Sequence, residues 1–373
     1  MMEYFPYLMA FAFAAAFPLA IGYLVLVERK LLADFQARLG PMRAGPHGLL
    51  QPLADAVKLL LKEDTVPAAA DKFLFYLAPA ISVGTAFAAF AVIPITKLLN
   101  ISDINVGLLF ISAMAAVGVF GMILGGWSSN SNYALLGAMR GAAQLISYEV
   151  AMGLALVSVV MMSGTLSMAK IVDAQLQQRV WFVFGNYGFM LLTFFVFLIA
   201  AVAEVNRAPF DLPEAESEIV AGYHTEYSGF RWGFYMMAEY TNIFVVCCVA
   251  VTLFFGGWLR PFPNLHWMAW PMDAMVPLLL GGLCAYGCWR MRLWPLVVLF
   301  ALAGSSFLIP HLRELASGPF WFFLKLGVVF YVLVWFRASW PRMRYDQLMD
   351  LGWKRLIPLA LGCVFVNAIL GML

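Results

Sequence analysis

The sequence predicts an all-helical, polytopic membrane protein, and three observations carry that prediction. Of its 373 residues, 63% are hydrophobic and 12% charged, whereas a soluble domain is about half apolar and about a quarter charged. The apolar residues fall into a series of uncharged runs. Most of these runs approach the roughly 20 residues that a helix needs to cross hydrocarbon about 30 Å thick. The charged residues collect between the runs. One integral membrane domain over 1–373 is expected, with no inserted soluble unit and no internal repeat.

Residues 4–27 carry no charge and lack a basic leader and a cleavage site, so they read as a retained helix and not a signal peptide. The run ends at Glu28-Arg29-Lys30 and opens a polar segment, 28–72. Its first half holds Gly40, Pro41, Gly45, Pro46 and Gly48, too many turn formers for one helix. Its second half, 50–62, is amphipathic: Leu50, Leu53, Ala54, Val57, Leu60 and Leu61 share one face, and Asp55, Lys58 and Lys62 the other. Too short to span, this helix is expected to lie along the membrane interface. Further spans are expected at 73–96, 105–126, 141–163, 186–203, 238–256, 320–336 and 356–373. Before the last two of these lies a segment, 260–318, with two shorter apolar runs, 274–289 and 294–310. They are joined by Arg290-Met291-Arg292 and read as an added transmembrane hairpin, about ten spans in all with eight in the core. The tryptophans just before the hairpin suit a membrane interface.

Basic residues mark the cytoplasmic side. Alternate connecting segments hold 17 of the 23 Lys and Arg, and the opposite ones hold five. This places 28–72 and the loop 204–237 in the cytoplasm and both termini outside. Lys325 falls inside a span near its outer end, where a snorkelling side chain is expected.

The most unusual stretch is EVNRAPFDLPEAESEIVAGYHTEYSG, 204–229, which packs Glu204, Asp211, Glu214, Glu216, Glu218 and Glu226 around a single cation, Arg207. Clustered carboxyls beside a bilayer must be paired, hydrated or protonated. Groups whose affinities for a proton are set apart by their surroundings are what proton transfer requires. Glu28, Glu149, Glu204 and Glu239 lie in or at the ends of apolar spans on the same side. Glu149 is about 12 Å in, too deep to snorkel. This layer of carboxyls running into an acidic loop reads as a proton path. The five cysteines have no C-x-x-C spacing, the four histidines are scattered, and neither a G-x-G-x-x-G nor a P-loop occurs. No metal site or redox cofactor within the chain is expected, and nothing points to nucleic acid.

The stretches ERKLLADFQARLGP, GPHGLLQPLADAVKLLLKED, GGWSSNSNYALLGAMRGAAQLISYEV, the acidic loop, AEYTN and RASWPRMRYDQLMDLGWKRLIPL resemble the H subunit of respiratory complex I, also called subunit 1 of NADH–quinone oxidoreductase. The resemblance covers nearly the whole chain except about 260–318, which the core family lacks. It implies a bundle of about eight core helices at the junction of the membrane and peripheral arms, walling part of a quinone chamber and the adjoining proton route. Quinone is then a substrate; NADH, FMN and iron–sulfur clusters belong to partner subunits, and lipid surrounds the chain in a bacterial inner membrane. By position, the resemblance puts Arg29, Arg38, Asp55, Phe210, Asp211 and Arg337 around the quinone, and Glu149, Glu204, Glu214, Glu218 and Glu239 along the proton path. Glu216 joins that path as an acid of the same cluster. No residue of the added hairpin resembles a proton or quinone site, so it is expected to carry no catalytic group. The equivalent subunit of a proton-pumping hydrogenase-type complex is the nearest alternative, although GGWSSNSNYALLG and YDQLMDLGWK favour the quinone enzyme. A stand-alone ion or solute transporter is the alternative of another class; it would be expected to show inverted repeats.

Overall fold

The computed structural model describes residues 5–97, 99–213, 220–263, 265–268, 270–291 and 293–372. Regular structure among them is helical throughout. In chain order the helices are α1 Phe5–Phe35, α2 Gln51–Leu61, α3 Lys72–Ala91, α4 Gly107–Ser128, α5 Asn132–Ser163, α6 Met168–Gln178, α7 Phe189–Glu204 and α8 Gly229–Phe254. They continue with α9 Val276–Arg290, α10 Trp294–Ser306, α11 Pro310–Ser339, α12 Tyr345–Asp350 and α13 Ile357–Met372. Eight helices among the described residues are long and apolar enough to cross a membrane. The protein is an integral membrane protein.

Several helices outrun their uncharged segments. α1 continues through Glu28-Arg29-Lys30 to Phe35, α5 begins at Asn132 with Arg140 inside it, and α8 begins at Gly229. A charge ends the stretch that hydrocarbon tolerates, not the backbone hydrogen-bond ladder, so these helices run on past their charged residues. The hairpin differs in the other direction. Its first arm reaches 20 residues only by adding a π-helical turn, Pro271–Met275, before α9. Its second, α10, has 13. That is about 20 Å of rise, less than the roughly 30 Å hydrocarbon thickness. Gly304-Ser305-Ser306 closes this arm and Pro310 opens the next helix, which leaves no room for another turn.

α8 is the centre of the bundle: 78% of its most apolar window is buried, against 11% for 271–290. It packs on α3, α11, α1 and α2, while α5 packs on α4, α7 and α13. Helices in lipid gain little from apolar burial and rely on close approach of small residues. At Gly121 of α4 an added Cβ would lie 2.1 Å from Ser82 Oγ and 3.1 Å from the Ala78 carbonyl oxygen of α3, so the two helices approach closely at a residue without a side chain. α2 buries none of its residues fully, and Leu53, Val57, Leu60 and Leu61 on it are exposed. It is the short amphipathic helix the sequence predicts over 50–62, packed against α1 and α8 along one side.

The expected snorkelling of Lys325 is overturned. Its side chain is buried, and Nζ donates to the carbonyls of Phe255 and Leu259, both at 2.8 Å, while lying 5.0 Å from the Trp181 ring. Phe255 is the residue that ends α8, where carbonyls lack partners within the helix and a cation suits the helix dipole, and Leu259 belongs to the turn that follows. Lys325 therefore turns inward to cap α8 and does not reach for water.

Candidate functional site

Two cavities meet on either side of α8. The larger, about 290 Å³, lies between α1, α2 and α8 and is walled by Gly22, Val25, Pro52, Phe234, Met237 and Tyr240. Arg29 and Asp55 also line it, joined through Arg29 Nη1 and Asp55 Oδ2 at 2.7 Å. Gln51 Nε2 donates to the other oxygen of Asp55 at 2.8 Å. The three polar groups are spaced by helix geometry, since Gln51 and Asp55 stand one turn apart on α2. The result is an apolar slot with one charged end.

The second cavity, about 110 Å³, lies deeper among α3, α4, α5, α7 and α8 and contains Glu204, Glu239, Asn206, Tyr223 and Tyr235 in its lining. One oxygen each of Glu204 and Glu239 is buried with no hydrogen-bond partner among the described residues. Carboxyl oxygens in that state are costly to keep unless they serve a purpose. Glu149, half-buried on α5, does not line the cavity but is near enough to Glu204 for their charges to interact.

Arg207 connects the two cavities. Its Nε pairs with Glu239 Oε1 at 2.9 Å, with both side chains largely buried, and its guanidinium lies 4.5 Å from the ring of Tyr240. Glu239 and Tyr240 are neighbours on α8, one facing the inner cavity and the other the slot. Arg207 also shares a small apolar crevice with Glu28 and Arg337, which form an ion pair of their own. Glu28, Arg337 and Asp211 all lie within electrostatic reach of Glu239. Asp211 itself pairs with Arg342 at 2.7 Å.

The structure thus gathers Glu28, Arg207, Asp211, Glu239 and Arg337 into one charge network, shielded most at Glu28 and least at Arg337, with Arg29 and Asp55 at the charged end of the slot. Phe210 is 2% exposed and packs beside Tyr148 with ring centroids 5.6 Å apart, behind the network and not in either cavity lining. Arg38 stands apart, exposed on the segment after α1 and donating to Gln36 at 2.6 Å. Glu214, Glu216 and Glu218 lie outside the described residues.

Two contributors were missed by the sequence reading. Gln144 is fully buried on α5, and its amide donates to the carbonyls of Ala203 and Phe210, both at 2.7 Å. It ties the loop carrying Arg207 to α5. A glutamine inside an apolar run, one turn before the Tyr148-Glu149 pair, was the available signal. His224, in the short turn Gly222–His224 ahead of α8, is 8% exposed. Burial pushes its imidazole down to about 4, against an upward pull from Asp211. A folded-state value below the unfolded one near 6.5 means stability is fully present above pH ~6.5 and is lost as pH falls toward 4, by up to about 3 kcal/mol. Thermal melts of the solubilised protein should accordingly fall in this window, and His224→Gln should flatten the fall. Parallel curves for the two proteins would exclude His224 as the cause.

The fold and site define a helical membrane protein with an apolar slot, charged at one end, and a carboxyl-lined cavity behind it. The chain belongs to the NADH dehydrogenase family, whose model matches residues 8–368. It is similar to the NADH-quinone oxidoreductase H subunit numbered 2 of Solibacter usitatus, 57% identical over 381 residues that cover 99% of this chain and 97% of that one. It is also similar to the NADH-quinone oxidoreductase H subunit numbered 1 of Koribacter versatilis, 50% identical over 95% of this chain and 88% of that one. The H subunit of the NADH-quinone oxidoreductase of Bacillus cytotoxicus is 43% identical over 94% of this chain and 89% of its own length. The resemblance read from the sequence motifs therefore holds.

Proposed function

We propose that this chain is the membrane subunit of an NADH–quinone oxidoreductase that walls part of the quinone chamber and carries the first stretch of the adjoining proton path. The slot between α1, α2 and α8 takes the quinone. Its apolar walls accept the ring and the start of the tail, and Arg29, Asp55 and Gln51 mark the polar end. Electrons come from an iron–sulfur cluster of a partner subunit; the quinone takes up two electrons and two protons to become the quinol. Each charge that appears or disappears there acts on groups a few ångströms away. At an effective dielectric near 20, one unit charge at 4 Å is worth about 4 kcal/mol. Arg207 carries the reading: it lies over Tyr240, which lines the slot, and pairs with Glu239, which lines the inner cavity. A shift of Arg207 toward new negative charge at the slot weakens its hold on Glu239 and favours protonation there. Glu204 and Glu149 continue the path into the membrane, and the family resemblance assigns Glu214 and Glu218 to the same path, which Glu216 joins as an acid of the same cluster. The basic segments, and with them the acidic loop, face the cytoplasm of a bacterial inner membrane.

The test is co-purification. Tagged at one terminus and extracted in mild detergent, the chain should bring down other membrane-arm subunits and peripheral subunits carrying iron–sulfur clusters, in a preparation that oxidises NADH with quinone. Isolation of the chain alone, with uphill ion transport in vesicles, would replace this reading by that of a stand-alone transporter.

A further inference from the structure

The hairpin α9–α10 is fixed to the rest of the chain at both ends. At its root, Asp273 accepts from Arg260 Nη1 at 3.2 Å and from Trp321 Nε1 of α11 at 2.9 Å. At its tip, the carbonyl of Met291 lies 3.1 Å from Nε2 of His47. Between these points its two arms close on each other: a Cβ at Gly281 would sit 2.9 Å from Cα of Gly304. They are otherwise widely exposed, with Leu279, Leu283, Val298 and Leu302 all more than half exposed. A helix pair that is stiff in itself and pinned at its two ends transmits position from one to the other.

The tip lands next to the slot. His47 lies in the turn Pro46–Gly48, four residues before Gln51, the first residue of α2. Its own carbonyl accepts from Lys30 Nζ of α1 at 2.7 Å. Within the turn, Leu50 N donates to Ala44 O at 3.1 Å. Gly48 has φ +77, and a Cβ there would lie 2.2 Å from the carbonyl oxygen of Pro41, so the turn has little slack. From Gln51 the chain of contacts runs to Asp55 and then Arg29, the polar end of the slot.

We propose that His47 is a positioning residue through which the hairpin tip braces the start of α2 and so sets the polar end of the quinone slot. This deepens, and rests on, the assignment of that slot to quinone. His47 Nε2 must carry the proton to donate to a carbonyl, and either the neutral Nε2–H tautomer or the cation does so. The hairpin supplies no catalytic group; it holds the wall of the chamber against movement of the surrounding lipid.

The experiment uses the intact complex with His47→Asn and His47→Gln. His47 has φ 52, a conformation asparagine tolerates better than other non-glycine residues, so that variant keeps the turn while its amide is too short to reach Met291. Glutamine is longer and retains an N–H donor. Expected for His47→Asn is a rise of about tenfold in KM for a short-chain quinone with kcat held within about twofold, since a binding wall is loosened and the chemistry is untouched. Amide exchange over residues 44–52 should quicken in the same variant, and His47→Gln should stay near the unsubstituted protein in both readouts. Unchanged KM in His47→Asn overturns the brace, as does a raised KM with unchanged exchange, which would mean that His47 meets quinone directly. Arg29→Ala separates the two levels. If it raises KM and His47→Asn does not, the brace alone fails; if neither does, the slot is not the quinone site.

Discussion

Glu239→Gln is expected to lower quinone-linked proton translocation at least tenfold while NADH oxidation by artificial acceptors is retained. Glutamine keeps the size of the side chain and one hydrogen-bond acceptor for Arg207, but it can neither carry a proton nor balance the guanidinium. The Arg207–Glu239 pair is largely shielded from solvent on both sides. Removing one partner of a buried pair leaves the other charge uncompensated, at a cost of about 3–5 kcal/mol. A tenfold rate loss needs only about 1.4 kcal/mol of that to appear in the barrier. Glu239→Asp shortens the reach but keeps a titrating carboxyl, so it should recover much of the activity. The decisive comparison is the number of protons moved per quinone reduced, measured in sealed vesicles. A ratio unchanged in Glu239→Gln would make this residue a structural tie between α8 and the loop before it, and the inner cavity would lose its assigned role.

The membrane architecture was legible because hydrocarbon is an unforgiving solvent. Uncharged runs of spanning length leave few alternatives, and eight of the resulting helices qualify by length and composition. The carboxyls were equally legible as a group, because Glu204 and Glu239 interrupt those runs. Their partners were not. Nothing in the sequence around Arg207 says that it faces Glu239 and Tyr240, since that contact joins residues on the two sides of a long loop. Glu28 read as a helix-end charge and is instead 3% exposed against Arg337. Lys325 failed for the same reason: depth along a helix can be counted from the sequence, but the direction a side chain takes depends on what lies beside it. The free carbonyls of Phe255 and Leu259 decided that direction. Helix ends were the other weak point, because propensity and caps set where a helix stops and hydropathy sets only where the membrane does.

Arg29→Ala is expected to raise KM for quinone about tenfold or more, with NADH oxidation by artificial acceptors unchanged. Arg29 lies at the charged end of an otherwise apolar slot, held by Asp55 Oδ2 at 2.7 Å, and Asp55 is held in turn by Gln51. Both partners of the ion pair remain partly exposed, at 48% and 35% of their side-chain surface, so the pair contributes little to stability. In the function proposed above, it presents a fixed donor set to a polar head group entering along the apolar walls. A guanidinium held by a carboxylate donates to a carbonyl oxygen in a set direction, and lysine lacks that planar geometry, so Arg29→Lys should restore only part of the affinity. Asp55→Asn gives an independent arm. It leaves the slot's shape intact and frees Arg29 to move, and a rise in KM smaller than that of Arg29→Ala is expected. If Arg29→Ala reduces the artificial-acceptor activity as much as the quinone activity, the arginine is needed for assembly. If it changes neither, the slot between α1, α2 and α8 does not receive the quinone head group, and the pairing with Asp55 serves only to dock α2 against α1.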